Sequence, residues 1–341
     1  MAIWCIPWNR HRVFRALGVL PVFLTLGLLL WSLAVFYSTV IPAMHSRQPA
    51  HAWFWGPTVT VLWGLLTWCY SVCVMRNPGY AVGRRPTVSS HGGTDRLPYI
   101  RVRGSETPRR RRADSVASLN SDDSDAGGRL TEDQMQQADL IQSMTTTDSG
   151  QPRYCHRCNA AKPDRAHHCS SCDMCVLRFD HHCPWLNACV GFHTQKAFVL
   201  FLSYATLYTT VLGVLTLVYY VLWIVAERVY DISIQCLFMM CMAFAFAISL
   251  WGFTAFHYYL TLQNLTTFET YVSNKYRVPG TTHAVQPGKV NLFDLGWRKN
   301  LRQLFGPSWR QWFVPTVSTI GDGTRFAINF ETFNELQRTA T

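Results

Sequence analysis

Charge is what this sequence has least of. Asp, Glu, Lys and Arg make up 15% of its 341 residues, against about 25% in an ordinary soluble protein. A uniformly soluble chain is excluded. Acid is scarcer than base: 20 Asp and Glu stand against 31 Lys and Arg, a net charge of +11. Such an excess suits nucleic acid, a membrane face or a phosphate-rich ligand. Yet the mean hydropathy is only +0.04, lower than a compact bundle of membrane spans would give. The average therefore hides two populations. Cysteine, by contrast, is plentiful, with 12 residues. A secreted disulfide scaffold is unsuited to a chain this long and this apolar.

The apolar population lies in four stretches, at about 13–41, 53–75, 197–226 and 232–262. Each is long enough to cross roughly 30 Å of hydrocarbon at about 1.5 Å per residue. Buried helices of a large soluble core would not be this free of charge. A cleaved leader is also a poor reading of the first stretch, which is long and has no obvious small-residue cleavage site. The expected fold is an all-α membrane protein of four transmembrane helices. Of the 31 Lys and Arg, 29 share one side if both termini and the loop 76–196 lie together; only Arg47 and Arg228 fall opposite. The positive-inside rule makes that side the cytosol. Trp53, Trp55, Trp223 and Tyr230 sit near the expected interfaces.

The long loop divides in two. Residues 84–150 are poor in apolar side chains and read as a disordered linker. Arg109 to Arg112 stand beside Ser115, Ser118 and Ser121 and the acids Asp122, Asp123 and Asp125. That suits either a phosphorylation-switched lipid patch or an inert solvated linker. No internal repeat is read along the chain. The expected organisation is 1–75 for the N-terminal segment and first two helices, 76–150 for the linker, 151–196 for a cysteine-rich domain, 197–262 for the last two helices and 263–341 for a cytosolic C-terminal region.

Residues 155–193 hold seven Cys and six His. Cys155-x2-Cys158, Cys169-x2-Cys172 and Cys172-x2-Cys175 have the short spacing of zinc knuckles. A closed structural site takes four ligands, so two sites use eight of the thirteen candidates. One Cys pair plus a later His and Cys per site is the expected sharing. A remainder is left over. Asp180-His181-His182-Cys183 sets a thiol beside two imidazoles and a carboxylate. A thiol not held by metal, with a His to take its proton and an Asp to fix the ring, is a candidate nucleophile. A cross-braced zinc module of the ubiquitin-ligase type would need a long gap after the first Cys pair and no surplus thiol.

The run from Cys155 through Lys162-Pro163, Arg165, His168-Cys169, Cys172, Cys175, Asp180-His181-His182-Cys183-Pro184-Trp185, Asn187 and Cys189-Val190-Gly191 resembles the Asp-His-His-Cys domain of the integral-membrane protein S-acyltransferases, or palmitoyltransferases. Asn264-Leu265-Thr266-Thr267-Phe268-Glu269 is similar to that family's Thr-Thr-x-Glu motif. Residues 291–306, with Lys299-Asn300 and Phe305-Gly306, resemble its C-terminal packing motif.

The resemblance implies one zinc on Cys155, Cys158, His168 and Cys175, and a second on Cys169, Cys172, His182 and Cys189. It implies Cys183 as acyl-accepting nucleophile, His181 as base and Asp180 as orienting acid. Thr267 is expected to bond near Asp180, with Thr266, Glu269 and Asn300 in support. The implied activity is two-step transfer of a long-chain acyl group, typically palmitoyl, from acyl-CoA to Cys183. The group then passes to cysteines of membrane-associated substrate proteins. The bilayer is a partner and nucleic acid is not. Golgi, plasma membrane or another secretory-pathway membrane is the implied location. Lys162 and Arg165 are expected to meet the CoA phosphates and Trp185 to line the cavity mouth. Tyr208 and Ser32 lie deep in their spans, where hydroxyls face a cavity or a partner helix. Ala188 replaces the usual second Asn, and His193-Thr194 replaces the usual Ser-Asn. Cys5 is a candidate for acylation. Cys69, Cys73, Cys236 and Cys241 read as packing residues, and His257 as a hydrogen-bonded helix-packing residue.

Overall fold

The computed structural model describes residues 12–81, 144–146, 153–155, 157–158, 160–221, 225, 233–272, 275–276 and 290–340. Four helical stretches are long and apolar enough to cross a membrane: Gly18–Arg47, Pro49–Met75, Gln195–Val221 and Ile234–Leu262. The first is α1 (Arg12–Val35) running through a π-helical turn at Phe36–Val40 into α2 (Ile41–Arg47). It therefore extends past the expected end at residue 41. Only Gln48, whose backbone is not helical, separates it from α3 (Pro49–Met75). Pro49 opens that helix at a position where its missing N–H has no partner to lose. Next come α4 (Gln195–Leu215), which ends in a second π-helical turn at Thr216–Val221, and α5 (Ile234–Leu262).

The four are not equivalent. In the third stretch 61% of the most apolar window is buried inside the protein, against 22–28% in the others. So α4 is the central helix and the other three show most of their apolar surface to the outside. Three of the four cysteines read as packing residues, Cys69, Cys73 and Cys236, are buried; Cys241 is exposed on α5. Deep in the bundle, Ser32 and Tyr208 meet hydroxyl to hydroxyl at 2.8 Å, both buried.

Between α3 and α4 the chain is not helical. Six strands of two or three residues form three antiparallel hairpins: β1–β2 (Tyr154–Cys155, Ala160–Ala161), β3–β4 (His167–Cys169, Met174–Val176) and β5–β6 (His181–Cys183, Ala188–Val190). Their registers coincide at a period of 14 residues. Tyr154 faces Ala161, His168 faces Cys175 and His182 faces Cys189; Cys155, Cys169 and Cys183 face Ala160, Met174 and Ala188. The segment contains an internal repeat that the sequence reading missed. Asp173 and Asn187, last in their four-residue loops, both adopt positive φ (52° and 48°). That conformation suits short Asx side chains.

This small domain is fastened to the helices on both sides. The chain leaving α3 runs along β4: Leu177 N–H donates to Gly79 O, and Ala81 N–H to Cys175 O. After β6, Gly191 passes so close to Val176 and the Pro78 carbonyl that a Cβ would lie 2.5 Å and 2.8 Å from them. Only glycine fits there.

Within the expected linker, Met144, Thr145 and Thr146 are buried. The Asp164 carboxylate accepts from the Met144 and Thr145 N–H groups, and Thr146 N–H donates to the Lys275 carbonyl. Residues 82–143, with the Arg109–Arg112 and serine patch, and Cys5 lie outside the described residues. After α5, α6 (Thr267–Tyr271), α7 (Trp297–Phe305) and α8 (Phe330–Ala340) complete the described chain.

Candidate active site and metal centres

Strand periodicity assigns the chemistry on β5. Successive side chains point to opposite faces. His182 therefore points one way, and His181 and Cys183 the other. The His182 face joins Cys169, Cys172 and Cys189; the other group of four is Cys155, Cys158, His168 and Cys175. In each set the ligand atoms all lie within 4.8 Å of one another. His168 Nδ1 lies 3.5, 3.3 and 4.0 Å from the sulfurs of Cys155, Cys158 and Cys175. His182 Nδ1 lies 3.8, 3.4 and 3.7 Å from those of Cys169, Cys172 and Cys189. A tetrahedral zinc, with Zn–S of about 2.3 Å and Zn–N of about 2.0 Å, sets nitrogen and sulfur about 3.5 Å apart. Both clusters fit zinc, with the ligand sharing the sequence implied.

The 14-residue repeat explains the sharing. Each cluster takes a Cys-x2-Cys pair from one hairpin and the facing His and Cys from the next. Three hairpins have two junctions, hence two sites. The third hairpin has no successor. Its counterpart of Cys169 is Cys183, and its counterpart of Cys172 is Leu186. Cys183 is a ligand position without a site.

Cys183 is buried, in an apolar cluster with Val22 of α1, Tyr70 and Cys73 of α3, Leu186, and Phe198 and Leu202 of α4. The thiol is thus seated against the ends of three spans. Tyr70 donates from its hydroxyl to the Trp185 carbonyl at 2.8 Å, fixing the loop beside it. The Cys183 side chain lies close enough to the His181 ring to favour its charged form. Its Nδ1 lies 2.6 Å from Asp180 Oδ2. Burial opposes charge on this ring, but Asp180 and Cys183 outweigh it and push the imidazole up to about 9. Asp180 is itself buried, which disfavours its charge. The His181 bond and the Thr267 N–H overcome that and hold its carboxyl below the usual range.

The Asp180–Thr267 contact is the one expected. Thr267 donates from its N–H to Oδ1 at 2.8 Å and from its hydroxyl to Oδ2 at 2.9 Å. A capping box explains the placement. Thr266 Oγ1 accepts from Glu269 N–H, and Glu269 Oε2 accepts from Thr266 N–H. With both ends of the turn closed, the first residue of α6 presents its N–H outward. Asn300 is buried on α7, donating to the Leu262 carbonyl at 2.7 Å and Asp294 Oδ1 at 2.6 Å.

Arg165 needs correction. It was expected to meet a CoA phosphate, but it is fully buried. Its guanidinium makes a bidentate pair with Glu269, both distances 2.7 Å, and donates to the Asn264 side chain and carbonyl. Phe293 and Phe326 cover its faces at 4.8 and 5.0 Å. It ties the Cys/His domain to the capping box. Lys162 is half-buried and Trp185 exposed, so both stay open to a ligand. Ser32 and Tyr208 come together, and Tyr208 belongs to a different apolar cluster from Cys183.

Sequence reasoning gave no role to Asn264. At φ 51° it ends α5, accepts from Arg165 and Arg178 and donates to Gln303 and the Phe293 carbonyl. Its place in the Asn-Leu-Thr-Thr run was the available signal. His257, read as hydrogen-bonded, is buried with Nε2 unpartnered among the described residues.

Comparison with known proteins agrees with this geometry. The family model described as DHHC palmitoyltransferase matches residues 148–274. Palmitoyltransferase ZDHHC2 of Homo sapiens is 40% identical over 183 residues, covering 53% of this chain and 48% of that protein. Palmitoyltransferase ZDHHC20-A of Danio rerio is 41% identical over 183 residues, covering 53% and 49%. Palmitoyltransferase PFA3 of Yarrowia lipolytica is 35% identical over 223 residues, covering 59% and 56%. The chain thus spans about half the length of the curated relatives it matches. The stretch that is similar to the DHHC palmitoyltransferase family holds the three hairpins and the third and fourth apolar spans.

Proposed function

We infer that the protein is an S-acyltransferase working through a thioester on Cys183. The observation that carries this reading is the position of one thiol. Cys183 lies outside both four-ligand sets, beside His181 and Asp180, among the ends of three spans. A long-chain acyl-CoA would lay its tail in the bilayer and its thioester at this level. Cys183 gives its proton to His181 and attacks the carbonyl carbon; CoA leaves as the thiol. A cysteine of a membrane-associated protein then takes the acyl group by the same route, in two steps with a covalent intermediate. Asp180, held by Thr267, keeps His181 Nδ1 engaged so that its other nitrogen faces the thiol. Zinc, when bound, folds the hairpins; with four protein ligands each, neither site keeps an open place for substrate.

The hairpin end of the bundle faces the cytosol, a reading that the distribution of Lys and Arg supports. The membrane belongs to the secretory pathway, as with the family. Lys162 serves the CoA phosphates and Trp185 the mouth of the acyl site. Ser32 and Tyr208 stand at its closed end; Tyr208→Ala should change the C14, C16 and C18 preference, and an unchanged preference rejects that role. The activity itself is tested by charging the purified protein with labelled palmitoyl-CoA, removing the donor, and adding a cysteine-containing membrane-anchored peptide. Hydroxylamine-sensitive label should leave the enzyme and appear on the peptide. Label that moves only while the donor is present would reject the two-step scheme.

A further inference from the structure

The buried imidazole of His257 has no part in the scheme above, yet it stands next to the reacting groups. It projects from α5, is 2% exposed, and keeps Nε2 buried with no hydrogen-bond partner among the described residues. Its ring centre lies 6.0 Å from that of His181. Phe198 lies 5.1 Å from each of them, so the three rings form a triangle. Phe253 at 4.6 Å and Phe256 at 5.7 Å complete the surroundings.

A phenylalanine would fill this aromatic nest without burying a polar atom. An unsatisfied buried nitrogen is a standing cost. Such a group makes physical sense where a partner arrives during turnover. Cys183 shares the Phe198 cluster. An acyl thioester bound at Cys183 therefore brings its carbonyl oxygen to the His181–Phe198–His257 corner. That oxygen is an acceptor, and its demand rises as attack proceeds.

We propose that His257 Nε2–H donates a hydrogen bond to the thioester carbonyl oxygen and holds the oxyanion that forms on it. The proposal rests on the acyl-enzyme reading above. In the step, the Cys183 S–H proton passes to the free nitrogen of His181. The sulfur forms a bond to the carbonyl carbon, and the C=O pair moves onto oxygen, where His257 receives it without giving up its proton. When the pair returns, the bond from carbon to the CoA sulfur breaks. The leaving thiolate takes the proton from His181. The same donor serves the second transfer, because the same oxygen passes through the same state.

The test is single-turnover acylation of Cys183 by palmitoyl-CoA, using the full chain in detergent with its zinc content measured. His257→Phe keeps the ring among its aromatic neighbours and removes the donor. His257→Gln keeps a donor and loses the ring. Removing one oxyanion donor lowers the rate about 10²–10³-fold. Wild type should therefore be fastest, Gln next and Phe slowest, with kcat and kcat/KM falling together in the Phe variant and two zinc per chain in all three. A Phe variant as fast as wild type, or faster than Gln, overturns the proposal. So does loss of zinc from the Phe variant, which would make the imidazole a packing element. Wild-type protein that carries no label on Cys183 would fail differently, by removing the acyl-enzyme reading itself.

Discussion

The second and third hairpins are built on one 14-residue unit, yet their thiols have different surroundings. In β3–β4 the run is Ala166-His167-His168-Cys169; in β5–β6 it is Asp180-His181-His182-Cys183. The middle His does the same work in both, pointing into a four-ligand set. Its neighbours differ. Cys169 has Cys172 three residues on and belongs to a four-ligand set that fits zinc; Cys183 has Leu186 there and does not. His167 is half-buried beside Arg153, with Lys162 and Arg165 near, so desolvation and these cations push its ring far below the usual range. His181 is also half-buried but has Asp180 where the earlier unit has Ala166, and its ring is pushed up to about 9. Two substitutions within one repeating frame, Ala to Asp and Cys to Leu, thus separate a thiol inside a four-ligand set from one that lies outside both sets, beside a histidine and a carboxylate.

The largest effect should come from treating the two thiols alike. Cys169→Ser removes one ligand of the second centre, and structural zinc contributes about 10–16 kcal/mol of folding free energy in small metal-dependent domains. Metal analysis should fall from two zinc per chain to about one, with loss of the folded hairpins. Cys183→Ser should keep both zinc ions. Equal zinc loss in the two variants would erase the distinction.

Asp180→Ala gives the third unit the first residue of the second. It should slow acylation of Cys183 by about 10²–10⁴-fold, the range for a general base that loses its partner, again with two zinc per chain. A rate within twofold of wild type would mean that the carboxylate does not set the imidazole.

Thr267→Val is gentler, since the backbone N–H still reaches Asp180 Oδ1. One hydrogen bond to a charged group is lost, and acylation should drop about tenfold. Thr267→Ser should restore most of it; a Ser variant as slow as Val would place the threonine's contribution in its methyl packing.

The smallest effect lies in the bundle. Ser32→Ala removes the hydroxyl pair with Tyr208, and interhelical hydrogen bonds of this kind average about 0.6 kcal/mol. Thermal stability should change slightly and zinc content not at all. A collapse of metal binding would show that the hairpins depend on the deep bundle more than their own registers suggest.

Much of this was legible in the sequence because it is local. Four charge-poor stretches give four apolar helices, and ligands three or seven residues apart betray the metal centres. The repeat escaped because its ends are degenerate. The first unit has Tyr154 and Ala161 where the others have His and Cys, and the third has Leu186 in place of a ligand. Only strand register aligns them. Arg165 was misread because its partner, Glu269, is 104 residues away. A basic residue beside a metal domain looks available until the fold brings a carboxylate to it. A lone histidine such as His257 carries no spacing signal, and its open nitrogen is visible only once its neighbours are placed.

The most direct measurement asks which sulfur carries the acyl group. Wild-type protein is incubated briefly with palmitoyl-CoA, digested under conditions that preserve thioesters, and every cysteine-containing peptide is mapped by mass. Hydroxylamine-labile palmitate should appear on Cys183 and none on Cys169, its counterpart in the preceding hairpin. Palmitate on both, or on any other cysteine with Cys183 unmodified, would contradict the role given to Cys183.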